Sequence, residues 1–386
     1  MSTCTRQLLL CAGLACASCS LLRRHGEATE SHPLSPQGKL LASRSAFELT
    51  ASENGAALAW SPRDKGHGAL LLSEFAPDGV ERAQARALLA PAADVGDVSE
   101  LGLVSNARQL GLAWLEKSWG KARLRAIAGA ANEAKLTPVE LSESSAPTRG
   151  ERGNFAIVED RAQAGALSVL GRAEKAVCVE SDSHDCSRFA WWRLSAGRAE
   201  ARGFPLSVPS PCGAHALELL NEPRGMHYAV CSGGSASEAV TTLFTIQREP
   251  AYARADKLPK SCNPVGLFEH EQAVWLVVEC GEQRRAVRVN GDNAKIELQE
   301  LSSPRLSCVE GRAELHAGPI QLTLSEPRAG LSALLPRTIA PRESRAVWCG
   351  SALLVAATHG DVLELTRYAC EGNALRQLAP SQGKAN

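Results

Sequence analysis

The strongest constraint on this chain is internal repetition. The run NGAALAW, Asn54 to Trp60, matches RQLGLAW, Arg108 to Trp114, and polar residues then a second apolar run follow each. Those second runs are Gly68 to Phe75 and Lys121 to Ile127. Further on, Gln272 to Cys280 is followed by Arg285 to Val289, by the turn signal from Asn290 to Asn293, and by Ile296 to Leu301. Apolar residues partly alternate within these runs, which reads as short strands whose side chains point to opposite faces in turn. Gly, Asn and Asp between the runs tolerate the positive backbone angles of hairpin turns. A helical reading is poor, because the apolar runs are short and broken before a 3.6-residue stripe can form.

The unit is four short strands in roughly 40–55 residues. Seven units can be placed, over 46–90, 97–141, 152–206, 212–258, 262–301, 308–340 and 345–380. Such a unit cannot bury its faces alone, and stacking on neighbours solves that. The expectation is an all-β chain forming a β-propeller of seven blades, each of four short antiparallel strands. The sixth unit is the weak one. Pro319, Pro327, Pro336 and Pro341 crowd it, and proline cannot donate to a strand ladder. Six blades plus an irregular segment is therefore the alternative, and a pair of β-sandwiches is a further one.

The first 22 residues read as an address. Arg6 precedes an apolar stretch from Leu8 to Leu22 that ends in Ala, Cys and Ser, the pattern of a secretory signal and shorter than a membrane span. Leu14-Ala15-Cys16 resembles the lipobox of bacterial lipoproteins, in which the Cys becomes the lipidated first residue of the mature chain. The match departs from the usual pattern, since Gly13 stands where a large aliphatic residue is expected. Cys19, after Ala17-Ser18, is the second candidate, and plain cleavage or an uncleaved anchor beside Arg23 and Arg24 are the alternatives. With its repeats, the chain resembles bacterial lipoproteins with β-propeller-like repeats. That resemblance implies architecture and address, and no particular chemistry. Residues 23–45 read as a flexible tether, 46–380 as the propeller-like domain and 381–386 as a disordered tail. The expected location is the cell envelope, outer membrane or periplasmic face.

Thirteen cysteines are unusual in a chain of 386 residues. Four of them, Cys4, Cys11, Cys16 and Cys19, lie in the address, and an exported body keeps its disulfides. Cys212 and Cys231, Cys262 and Cys280, and Cys349 and Cys370 each bracket an apolar segment, a turn and a second apolar segment. A hairpin can bring such ends within bonding distance. Cys178 and Cys186 bracket the loop VESDSHD and pair across it in the same scheme. Cys308 is left over. The same loop holds Asp182, His184 and Asp185, but zinc sites favour closer ligand pairs, so a disulfide is the preferred reading and no metal is expected.

Catalytic motifs are missing from the sequence. There is no Gly-x-Ser-x-Gly elbow and no phosphate-binding loop, and His270-Glu271 lacks the second histidine of a zinc-peptidase helix. Glu159-Asp160 and Asp182 with Asp185 fall in apparent turns, and no carboxylate pair demands acid–base work. Trp60, Trp114 and Trp275 recur at matching places and read as packing. Trp191 and Trp192 are adjacent, so in a strand one ring must face away from the other. One of them is the expected ligand contact. Lys+Arg and Asp+Glu number 42 each, which removes the electrostatic case for nucleic acid. The expected function is a non-catalytic, lipid-anchored binding or scaffold module, without cofactor, whose partner is an envelope protein or glycan. The alternative is an exported glycan hydrolase or lyase with its site at the channel mouth.

Overall fold

A computed structural model describes residues 46–378, except 63–68, 83–84, 90–95, 107, 119, 132, 134–135, 146–154, 161–164, 179–185, 196–197, 204–217, 222–226, 234–239, 249–250, 258–261, 272, 282, 291–294, 302–303, 329, 342 and 360–361. Within 218–257 the strands are described by their backbone alone. The described residues form seven antiparallel sheets in chain order.

Blade 1 is β1 (Phe47–Ser52), β2 (Gly55–Trp60), β3 (Leu70–Phe75) and β4 (Arg86–Leu89). Blade 2 is β5 (Asp97–Ser105), β6 (Gln109–Ser118), β7 (Lys121–Ala130) and β8 (Val139–Ser145). Blade 3 is β9 (Phe155–Glu159), β10 (Leu167–Cys178), β11 (Cys186–Ser195) and β12 (Arg198–Gly203). Blade 4 is β13 (Glu218–Asn221), β14 (His227–Gly233), β15 (Val240–Arg248) and β16 (Ala251–Lys257). Blade 5 is β17 (Cys262–His270), β18 (Ala273–Cys280), β19 (Gln283–Asn290) and β20 (Lys295–Glu300). A three-stranded sheet follows, of β21 (Arg305–Val309), β22 (Arg312–Ala317) and β23 (Ile320–Leu324). Blade 6 is β24 (Ser344–Trp348), β25 (Ala352–His359), β26 (Val362–Glu371) and β27 (Ala374–Leu378).

Each four-stranded sheet pairs its strands in sequence order, so one tight connection after another builds the blade. Gly55 shows what such a turn demands. It opens β2 after the two-residue turn Glu53-Asn54, at φ 136°, and a Cβ there would lie 2.0 Å from the carbonyl oxygen of Phe75. The first strands pack in a ring, β1 on β5, β5 on β9, β9 on β13, β13 on β17, and β24 back on β1. Blades on both sides cover the second strand of a blade. The described second strands β2, β6, β18 and β25 are buried along nearly their whole length, on both faces. Leu58, Leu112, Leu276 and Leu354 are fully buried there, each stabilising the fold by about 1.5–3 kcal/mol relative to exposure.

Among the described residues no strand is shared between the first and last blades. Blades 1 and 6 meet through an apolar cluster of Leu49, Leu58, Trp60, Val347, Leu354 and their neighbours. Arg345 donates to Glu48 at 2.8 Å, and the Ser351 N–H donates to the Pro77 carbonyl at 2.9 Å. Packing and polar contacts between neighbouring sheets therefore do what a mixed sheet would otherwise do.

The sixth unit departs from the four-strand pattern, and six four-stranded blades is the arrangement found. Where its fourth strand was expected, Pro327, Pro336 and Pro341 interrupt the ladder, and a single 3-10 turn forms at Leu331–Ala333. That turn packs between β17 and β24, and Arg328 bridges to Trp348 of β24. The irregular chain thus takes the inner place between blades 5 and 6. The three strands ahead of it lie against blade 6, with β21 beside β27 and β22 beside β26. We call them the inserted sheet.

Candidate functional site

Carboxylates are the first groups to examine for chemistry, and arginines hold the buried ones. Glu116 of β6 has a fully buried side chain that accepts the Gly96 N–H at 2.9 Å and lies 3.4 Å from Arg125. Asp160, just past β9, is equally buried, 3.3 Å from Arg193 and 3.5 Å from the Ser168 hydroxyl. Glu279 contacts both Arg284, at 3.5 Å, and Arg337. Arg284 in turn donates to the carbonyls of Ala333 and Leu335, at 3.0 Å each, tying blade 5 to the irregular segment. Burial pushes the Arg284 guanidinium below its usual range, as does Arg337 nearby, against the pull of Glu279. These carboxylates are tied up in contacts that hold the fold together, and none of the three stands free at an open surface. Among the described residues no three His, Cys, Asp or Glu side chains gather as a metal site.

The cysteines divide differently from their spacing. Cys262 and Cys280 stand opposite each other across β17 and β18 and are joined. Cys370 is joined to Cys308, not to Cys349. The reason is geometric. Cys349 directly follows β24, Cys370 lies in β26, and β25 runs between those two strands, which holds them about 10 Å apart. The leftover Cys308 is thereby used, and Cys349 is the free thiol. It donates to the Ala352 carbonyl, and burial pushes its pKa up to about 12, so it is no nucleophile at neutral pH. Cys178 and Cys186 face each other in the backbone register of β10 and β11, while their sulfurs lie outside the described residues. So do Cys212, the side chain of Cys231, the loop with Asp182, His184 and Asp185, and the lipidation candidates Cys16 and Cys19.

Trp191 and Trp192 are both buried, at 2% and 3% exposure, so no ring is offered to a ligand there. They do point to opposite faces, as alternation requires. Blade 3 stands between two blades, so both of its faces are interior. Trp192 packs with Leu124, Phe155 and Val169 at the boundary with blade 2. Trp60, Trp114 and Trp275 are buried as well.

An open polar face lies elsewhere, on the inserted sheet. In β21 to β23 the residues alternate between buried and accessible. Cys308, Ala313 and Leu324 stand in one cross-strand row, and Leu306, Leu315 and Leu322 in another. Because Cys308 bonds to Cys370 of β26, this apolar face lies on blade 6, where Trp348, Leu353 and Val355 meet it. The other face is turned away from blade 6 and is polar. One of its rows is Arg305, His316 and Gln321, and the next is Ser307, Glu314 and Thr323. Val309 and Arg312 complete it. Arg305, Ser307, Arg312, Gln321 and Thr323 are exposed, and Glu314 and His316 are partly so. Glu314 lies 3.4 Å from the His316 Nε2. This face can donate and accept hydrogen bonds across three strands.

Sequence reasoning missed this surface. Its signal was present in the strict alternation of Ile320 to Leu324 and in the prolines that follow, a pattern of one wet face and one dry face.

No protein-family model and no curated protein matches the chain. Solved structures that resemble it include a prolyl endopeptidase, at TM-score 0.45 and 12% identity over 89% of this chain and 50% of that one. The chain therefore spans about half the length of that enzyme. The polysaccharide lyase Uly1 resembles it at TM-score 0.41 and 8% identity, over 89% and 90% of the two chains. The β-propeller domain of the Trilobed protease from Pyrococcus furiosus does so at 0.36 and 7%, over 89% and 98%. Likenesses this distant carry no activity across, and the fold rests on the sheets themselves.

Proposed function

We propose that this chain is an exported, lipid-anchored β-propeller that holds an envelope partner without transforming it. One observation carries the reading. The buried acids Glu116 and Asp160 and the partly buried Glu279 are each engaged by arginine, so these carboxylates serve the joints of the fold. The disulfides Cys262–Cys280 and Cys308–Cys370 support an oxidising compartment. The Leu14-Ala15-Cys16 pattern supports an acyl anchor at Cys16, with Cys19 as the alternative. No helix of the described residues is long and apolar enough to cross a membrane, and the reading needs none.

The test uses the full chain made in a bacterial host and extracted from its membranes. Intact mass is expected to show the acyl addition and loss of the residues before Cys16, and an uncut, unmodified mass would overturn the anchor. Envelope glycans retained by the protein are expected to elute at unchanged length. Shortened or unsaturated products would overturn the non-catalytic reading in favour of a glycan hydrolase or lyase.

A further inference from the structure

We propose that the open face of the inserted sheet binds an acidic oligosaccharide, one whose sugars carry carboxylates. The inference rests on the binding-module reading and gives that reading a place and a ligand class. Three features select the ligand. The first is shape and wetness. In β2, β6, β18 and β25 both faces are covered, whereas β22 and β23 leave every second residue accessible. A ligand can therefore lie along this face without displacing packed side chains.

The second is polarity. Val309 is the only large apolar side chain exposed among the described residues, and it sits at the margin of this face. Protein partners dock through buried aromatic or aliphatic anchors, which the face does not supply. Ser307, Thr323, Gln321, Glu314 and His316 supply hydroxyl, amide, carboxylate and imidazole groups instead, the complement of a polyhydroxylated ligand.

The third is charge. Arg305 and Arg312 mark the two ends of the face, because Arg312 pairs with Val309, four residues along β21 from Arg305. That places their backbones about 14 Å apart. Glu314 is the one carboxylate between them, and His316 stands beside it. Two guanidiniums at this spacing suit two carboxylates on an extended sugar chain, each held through paired N–H donors. The Glu314 carboxylate accepts from sugar hydroxyls. Binding is by hydrogen bonds and ion pairs alone, with no covalent step.

The probe is an oligogalacturonate, compared with a neutral galactose oligomer of the same length, by calorimetry on the full chain in detergent. Arg305→Ala with Arg312→Ala is the test variant. Arg198→Ala, on the exposed part of β12, is the control for loss of an arginine elsewhere. The expected result is binding of the acidic oligomer, at least about tenfold weaker binding of the neutral one, and about tenfold or greater loss in the double variant. The control variant should bind as the parent does, and all variants should melt alike. Acidic-oligomer binding untouched by the double variant would overturn the assignment of this face. So would equal binding of the neutral oligomer, or no binding of either. Oligomers recovered shorter than supplied would overturn the binding-module reading instead, whichever variant bound them.

Discussion

Blade 2 and the inserted sheet are both made of short antiparallel strands, yet they are built for different surroundings. In β6 the eight residues from Gln109 to Glu116 are buried in succession, because a blade lies on either side. In β22 and β23 burial alternates residue by residue, because one face is packed into the apolar cluster that includes blade 6 and the other is open. What makes a strand of this chain interior on both faces is its neighbours, and where one neighbour is missing the sequence turns polar. The disulfide reinforces the contrast. Cys262–Cys280 staples two strands of one blade, while Cys308–Cys370 clips the inserted sheet onto another blade across 62 positions.

The comparison can be broken by substitution. Trp114→Ala in β6 removes a ring that is 1% exposed and should cost about 3–5 kcal/mol in denaturant unfolding. A loss under about 1 kcal/mol would mean that blade 2 is not packed on both faces. Next in size is Cys308→Ser, expected to cost about 2–4 kcal/mol. Cys280→Ser should cost less, because its loop of 18 positions is the shorter. The reverse order in paired melts would show that the inserted sheet does not depend on its clip.

Arg284→Met tests how the irregular segment is held. It removes the hydrogen bonds to the Ala333 and Leu335 carbonyls and should cost about 1–3 kcal/mol. Amide exchange should quicken at residues 331–340 before it does in blade 2, and uniform quickening would argue against a local tie. His270, at the end of β17, has its pKa lowered by burial and by Arg328, against the pull of Glu271. The unfolded chain therefore takes up the proton first, and stability present above about pH 6.5 is lost as the pH falls through the lowered value. His270→Gln should flatten that acid-side decline, and an unchanged decline would assign it to other groups. Smallest of all, Thr323→Ala on the open face should stay within about 0.5 kcal/mol of the parent. A larger loss would mean that this face is packed.

Much of the fold was legible in the sequence because turns and alternation are local signals. The matching runs at Trp60 and Trp114 mark β2 and β6, and the turn signal in the sequence from Asn290 to Asn293 falls where β19 ends and before β20 begins. The part that was not legible depends on contacts distant in sequence. Nothing near Cys370 says that its partner is Cys308, because hairpin spacing favours Cys349 and the intervening β25 is invisible to a count of positions. Trp191 and Trp192 show the limit of alternation. It sends the two rings to opposite faces, but which faces are wet depends on the neighbouring blades. The candidate site hid in the sixth unit for the same reason, since its open face exists only because blade 6 covers the other.

Peptide mapping of the non-reduced protein, after alkylation in denaturant, tests most directly whether the inserted sheet lies with its apolar face on blade 6. The expected result is a peptide joining Cys308 to Cys370, with Cys349 recovered alkylated. A peptide joining Cys349 to Cys370, with Cys308 alkylated, would contradict that placement and with it the open polar face.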